Sequence, residues 1–158
     1  MPEKHRSLRL NPERTRELFL SGYNCAESML LSACEELGIK NEYFPAAGSA
    51  LGAGLSLTGD ICGLATGGLM VIGLLYGRRT PFDSNDRTYY LGTEFLKGFK
   101  ELRGSKLCLN ISGKDLSLDE EYAAFEREKV EEKICAPLLV ETVNLLNIIL
   151  AEMKGSDN

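Results

Sequence analysis

Cysteine is the residue with which this chain could do chemistry. Five occur, at Cys25, Cys34, Cys62, Cys108 and Cys135, beside one histidine and no tryptophan. A thiolate attacks disulfides and binds soft metal ions, so such a set suits redox exchange or metal binding. The spacing matches none of the common patterns: there is no C-x-x-C, no C-x-x-C-H for covalent haem, and no zinc-finger or ferredoxin run. His5, the single histidine, lies in a polar N-terminal stretch and supplies no general base.

The elements that must position these thiols are legible from helix punctuation. Asn11 followed by Pro12 and Glu13 reads as an N-cap with proline at the first helical position, opening a helix to about Leu20. Asn24, with Glu27 three residues on, makes a capping-box pair for a second helix that Gly38 closes; Met29, Leu30, Ala33 and Leu37 form its apolar face. Asp60 is expected to cap a third, from Ile61 to Tyr76, ended by Gly77. A fourth begins near Asn85 and carries Tyr89, Phe95, Phe99 and Leu102 on its apolar side. Ser117 and Glu120 open a charged helix expected to reach Lys133, after Cys108 in a short loop. The last starts around Pro137 and turns Leu139, Val143, Leu146, Ile149 and Met153 inward. No stretch alternates with period two, so the fold expected is all-α, a single-domain bundle of about six helices over residues 1–158, with flexible ends at 1–10 and 154–158.

On these elements three cysteines take similar places. Cys25 follows the cap Asn24, Cys62 lies two residues after Asp60, and Cys135 precedes Ala136-Pro137, so all three are expected at helix N-termini. Unpaired amides and the positive end of the helix dipole favour thiolate there and lower its pKa. Gly22-Tyr23-Asn24-Cys25 and Gly59-Asp60-Ile61-Cys62 repeat one local solution, a glycine to turn the chain, two residues, then a cysteine. Cys34 is different. Nine residues beyond Cys25, at about 100° per residue, it falls on the opposite side of the same helix and reads as a buried apolar residue.

The stretch from Tyr43 to Gly77 holds nine of the sixteen glycines and one charged residue, Asp60. Its apolar run ICGLATGGLMVIGLLY is sixteen residues, short of the roughly 20 that span a bilayer, and reads as a helix buried in protein. Gly63 and Gly67, and again Gly73 and Gly77, are four apart and read as faces of close helix packing. A net charge of -5 argues against a nucleic-acid surface; ten of the fifteen residues from Asp119 to Lys133 are charged and seven of these are acidic, which reads as a solvated face. Lys4, Arg6 and Arg9 have no apolar stretch behind them, so the expectation is a cytoplasmic protein whose cysteines are kept reduced.

The segments GYNCAES at Cys25, CGLATG running into GLMVIGLLYGR, Cys108 before LNISGKDL and Cys135 before APLLVETV together resemble the family of redox-active proteins named for its signature, C_GCAxxG_C_C. The similarity runs from about Gly22 to Leu150. It implies that Cys25, Cys62, Cys108 and Cys135 share a function, with Gly63 and Gly67 as the motif's glycines, and it leaves Cys34 outside. Leu64 stands where the motif has alanine.

Three functions compete for these residues. The first is thiol–disulfide electron transfer, the work of an oxidoreductase with Cys25 and Cys62 as nucleophiles, Cys108 or Cys135 as resolving thiol, and a redox partner protein or a small thiol as partner. The second is four-cysteine binding of an iron–sulfur cluster or zinc, assembled across gaps of 37, 46 and 27 residues. The third is an interaction module in which the glycine-rich helix packs against a membrane protein or a second copy of the chain.

Overall fold

The computed structural model describes residues 8–152. His5, Met153 and the 154–158 end lie outside them. The all-α expectation holds: among the described residues there is no strand, only an isolated antiparallel bridge between Ile61 and Leu107. Six helices have nine or more residues: α1 (Pro12–Leu20), α2 (Cys25–Leu37), α5 (Gly63–Tyr76), α6 (Asp86–Arg103), α8 (Asp119–Arg127) and α9 (Ala136–Glu152). Three short segments, α3 (Tyr43–Ala46), α4 (Ala53–Ser56) and α7 (Cys108–Ser112), raise the count from the expected six to nine.

The core forms where α2, α5, α6 and α9 meet, around the fully buried Phe95, Phe99, Met29, Leu64, Leu139 and Leu146. The expected apolar faces of α2 and α9 are buried as far as they are described; on α6, Phe95 and Phe99 are buried while Tyr89 is exposed. Leu8 and Leu10, expected in a flexible end, are instead core residues, and the Asn147 side chain holds both backbone groups of Leu10 at 2.9 Å.

Local caps behave as their residue types demand. Asn11 accepts from the amides of Glu13 and Arg14. Asn24 accepts from Ala26 and Glu27 while the Glu27 carboxylate accepts from the Asn24 amide, a complete capping box. Three boundaries differ from expectation. Asp60 binds the adjacent Ile61 amide, so α5 starts at Gly63 with Cys62 at its cap position. Ser117 donates to Asp115 and does not cap α8, which ends at Arg127 because Lys129 takes a left-handed φ of 57°. The chain then forms a π-helical turn, Glu131–Cys135, that runs directly into α9. Proline has no N–H and clashes with the carbonyl four residues back, and the wider turn immediately before Pro137 accommodates both.

The Gly63/Gly67 face is packed as the spacing suggests. A Cβ on Gly67 would stand 2.7 Å from Met29 Cβ and 3.0 Å from Ala26 Cα, and one on Gly63 would stand 2.8 Å from Cys25 Cβ. The Gly73/Gly77 pair is different: a Cβ on Gly73 meets nothing within 4 Å. Within the Ile61–Tyr76 run, the fourteen residues Gly63–Tyr76 form a helix packed within the protein. By length and composition one helix among the described residues could cross a membrane, the 22 residues from Glu131 to Glu152, with 44% of its apolar window buried within the protein.

Candidate functional site: four thiols at one end of the bundle

Each of the four cysteines is delivered by a different device. The capping box places Cys25 as the first residue of α2, after Gly22 turns the chain with a φ of 112°. Gly59, at a φ of 73°, does the same before Cys62. Next, the segment before α5 pairs with the segment before α7. Cys62 donates its amide to the Lys106 carbonyl at 2.8 Å, Cys108 donates to Asp60 at 2.7 Å, and Leu109 donates to Gly59 at 3.1 Å. Two cysteines 46 residues apart are thereby set side by side. Cys135 arrives on the π turn, and it packs together with Cys108 against Leu116, Phe125 and Val130.

Three of the four sit at helix starts, but not the three the sequence suggests. Cys108, expected in a loop, opens α7. Cys135, expected at a helix N-terminus, has helical backbone both before and after it, so the amides that would have faced it are engaged.

The segment between Gly52 and Thr58 closes over this end. Ala53, Gly54, Leu55, Ser56 and Leu57 all have φ between 51° and 71°, a turn of left-handed helix held by bonds from Ser56 to Gly52 and from Leu57 to Ala53. Four of the five carry side chains, for which this backbone is strained by roughly 1–2 kcal/mol per residue. At Gly54 a side chain has no room, since its Cβ would lie 2.6 Å from Cys108 Cβ.

Between α1, α2, this turn, α7 and α8 lies a cavity of about 310 Å³, and Cys25, Cys108 and Cys135 line it. Cys62 does not; it is 4% exposed and packed into the core. Cys34 does not line it either and is 2% exposed, as the helical wheel requires. All five cysteines are free thiols.

The expected low-pKa thiolates are not what this arrangement produces. Burial pushes the Cys62 thiol up to about 12, against the opposing pull of the Leu64 and Ala65 amides. Burial, then Cys62 and Cys108, raise Cys135 to about 12. Cys25 is held well above the usual thiol range, first by burial and then by the other three cysteines. Cys108 is raised by burial while the Ser112 hydroxyl, one turn on, opposes the rise. The helix-terminal effect is real but loses, because at these depths removing a thiolate from water costs more than the helix-end amides return.

The thiols are near enough to influence one another's charge, yet among the described residues no three cysteine, histidine or carboxylate groups are placed to hold a metal ion. As they stand they do not fit the iron–sulfur cluster or zinc ion that four thiolates could hold elsewhere.

Residues 23–149 match the family model described as "Putative redox-active protein (C_GCAxxG_C_C)". The chain belongs to this family. Membership assigns a redox-related role to this C_GCAxxG_C_C protein, and all four cysteines of the pattern fall within the matched span. Leu64, the departure from the motif's alanine, is 1% exposed and part of the core, so the larger side chain is absorbed by packing. No curated protein and no solved structure gives a significant match to the chain.

Proposed function

We propose that this C_GCAxxG_C_C protein is a thiol–disulfide oxidoreductase whose reacting groups are Cys25, Cys62, Cys108 and Cys135. The observation that carries the reading is the gathering of Cys25, Cys108 and Cys135 around one cavity. Cys62 is set beside Cys108 by the backbone pairing. Attack falls to Cys108, which opens on the cavity and stands at the first position of α7. Its sulfur adds to a substrate disulfide, releasing one thiolate. Cys25 or Cys135 then displaces the second, leaving a protein disulfide, and the two thiol protons leave with the two product thiols. Of the two cysteines expected as nucleophiles, Cys25 takes a resolving place, and Cys62, which does not line the cavity, is assigned to a later exchange that passes the disulfide inward. We place the cycle in the cytoplasm, where reduced thiols are restored between turnovers.

The test is anaerobic purification followed by an absorption spectrum, metal analysis and thiol counts before and after reductant. Colourless, metal-free protein that loses thiols in pairs on oxidation supports the reading. Visible charge-transfer bands with bound iron overturn it. Cys108→Ser abolishes the paired loss, as does Cys25→Ser combined with Cys135→Ser, and Cys34→Ala leaves it intact; loss in the Cys34 variant alone would overturn the site.

A further inference from the structure

We infer that the cavity above the thiols is a binding site for a small, uncharged aromatic disulfide, and that it discriminates against anionic disulfides such as oxidised glutathione. This rests on the thiol–disulfide reading and names its substrate class.

The size and placement come first. A volume of about 310 Å³ lies at the lower end of small-molecule pockets, roughly 300–1,000 Å³. Three thiols are set into its lining and only partly exposed, so a substrate must enter to meet them. Its walls are apolar and aromatic, with Phe19, Leu116 and Phe125 buried behind and Tyr122 and Leu57 at the exposed side. Flat π faces and aliphatic edges favour an aryl group over a peptide-like chain, whose amides would find few partners there.

Charge then selects among such molecules. The charged residues lining the cavity are both acidic, Glu131 and Glu132, and neither lysine nor arginine lines it. Lys129 reaches Glu132 at 3.5 Å across an exposed surface, which leaves Glu131 as the charge facing the thiols. The Glu131 carboxyl is itself raised, first by partial burial and then by Glu126 and Glu132, so acidic groups already stand close together on this side of the cavity. An incoming carboxylate would meet the same repulsion.

The chemistry balances without a further reagent: the protein supplies two thiols, the aryl disulfide is reduced to two aryl thiols, and the protein gains one disulfide. In the test, fully reduced full-length protein is mixed anaerobically with a dipyridyl disulfide, a bis(carboxyphenyl) disulfide and oxidised glutathione. Each rate is divided by that of the urea-unfolded chain, which removes intrinsic reactivity. Saturation with the dipyridyl disulfide is expected, with a preference of about tenfold or more over the dicarboxylate, the range that focused charge produces. Glu131→Gln with Glu132→Gln narrows that preference, and Tyr122→Ala, at an exposed position, raises the concentration needed for saturation. Equal normalised rates, or a strictly linear dependence on the dipyridyl disulfide, overturn the inference. Diamide separates the two levels: if it forms a protein disulfide while the aryl reagents show no preference, this inference alone fails. If diamide forms none, the redox reading fails with it.

Discussion

Cys62 has the Leu64 and Ala65 amides drawing on its sulfur and still titrates at about 12, because those amides act against the loss of water around a nearly buried thiol. The consequence is a direction for pH dependence. A thiol whose folded pKa is raised above its unfolded value binds its proton more tightly when folded. It contributes stability that is complete below the unfolded value of 9.0 and is lost as pH rises toward about 12. Urea midpoints are therefore expected to fall across that window, and to fall less in Cys62→Ala. The same shift protects the thiols: at neutral pH an uncharged alkylating reagent is expected to modify Cys62 and Cys135 far more slowly in folded than in urea-unfolded protein, measured by peptide mass spectrometry. Equal alkylation rates in the two states would show that burial does not control them.

At the scale of elements, the contact between α2 and α5 is made by what glycine lacks. Gly67→Ala forces a methyl into Met29 and the Ala26 backbone, and overpacking of this kind costs roughly 1–3 kcal/mol. Gly73→Ala, in the same helix with open space around it, is expected to stabilise by about 0.5–1 kcal/mol through backbone entropy. Chemical denaturation of the two variants checks both signs. Spacing alone does not separate them, since the two glycine pairs read identically along the chain and only the neighbour across the interface differs. The same is true of the helix boundaries. Asn11 and Asn24 cap as their types suggest because the amides they serve are two or three residues away. Asp60 does not, because the Lys106 carbonyl takes the Cys62 amide into a bridge formed 44 residues away in the chain. The left-handed turn at Ala53–Leu57 closes on its own backbone bonds, yet it is packed against Cys108, whose Cβ leaves no room for a side chain at Gly54.

Over the whole molecule, the two ends of the described chain are tied by one side chain. Asn147 of α9 donates to the Leu10 carbonyl and accepts from the Leu10 amide, seating Leu8 and Leu10 on the core. Asn147→Ala leaves both backbone groups without this partner and is expected to cost about 1–3 kcal/mol, read as a lowered denaturation midpoint with the thiol chemistry intact. Along the chain by itself, residue types and intervals determined the all-α class, the capped starts of α1 and α2 and the glycine that closes α2, the inward faces of α2 and α9, and the separation of Cys34 from its four counterparts. Each follows from interactions within a turn or two of helix, or from helical geometry itself. Tertiary structure alone decided that Cys108 rather than Cys135 begins a helix. It also decided that three thiols share a cavity with acidic groups, and that burial outweighs the helix ends in setting their protonation. Those outcomes depend on groups tens of residues apart, and on how much water their packing removes.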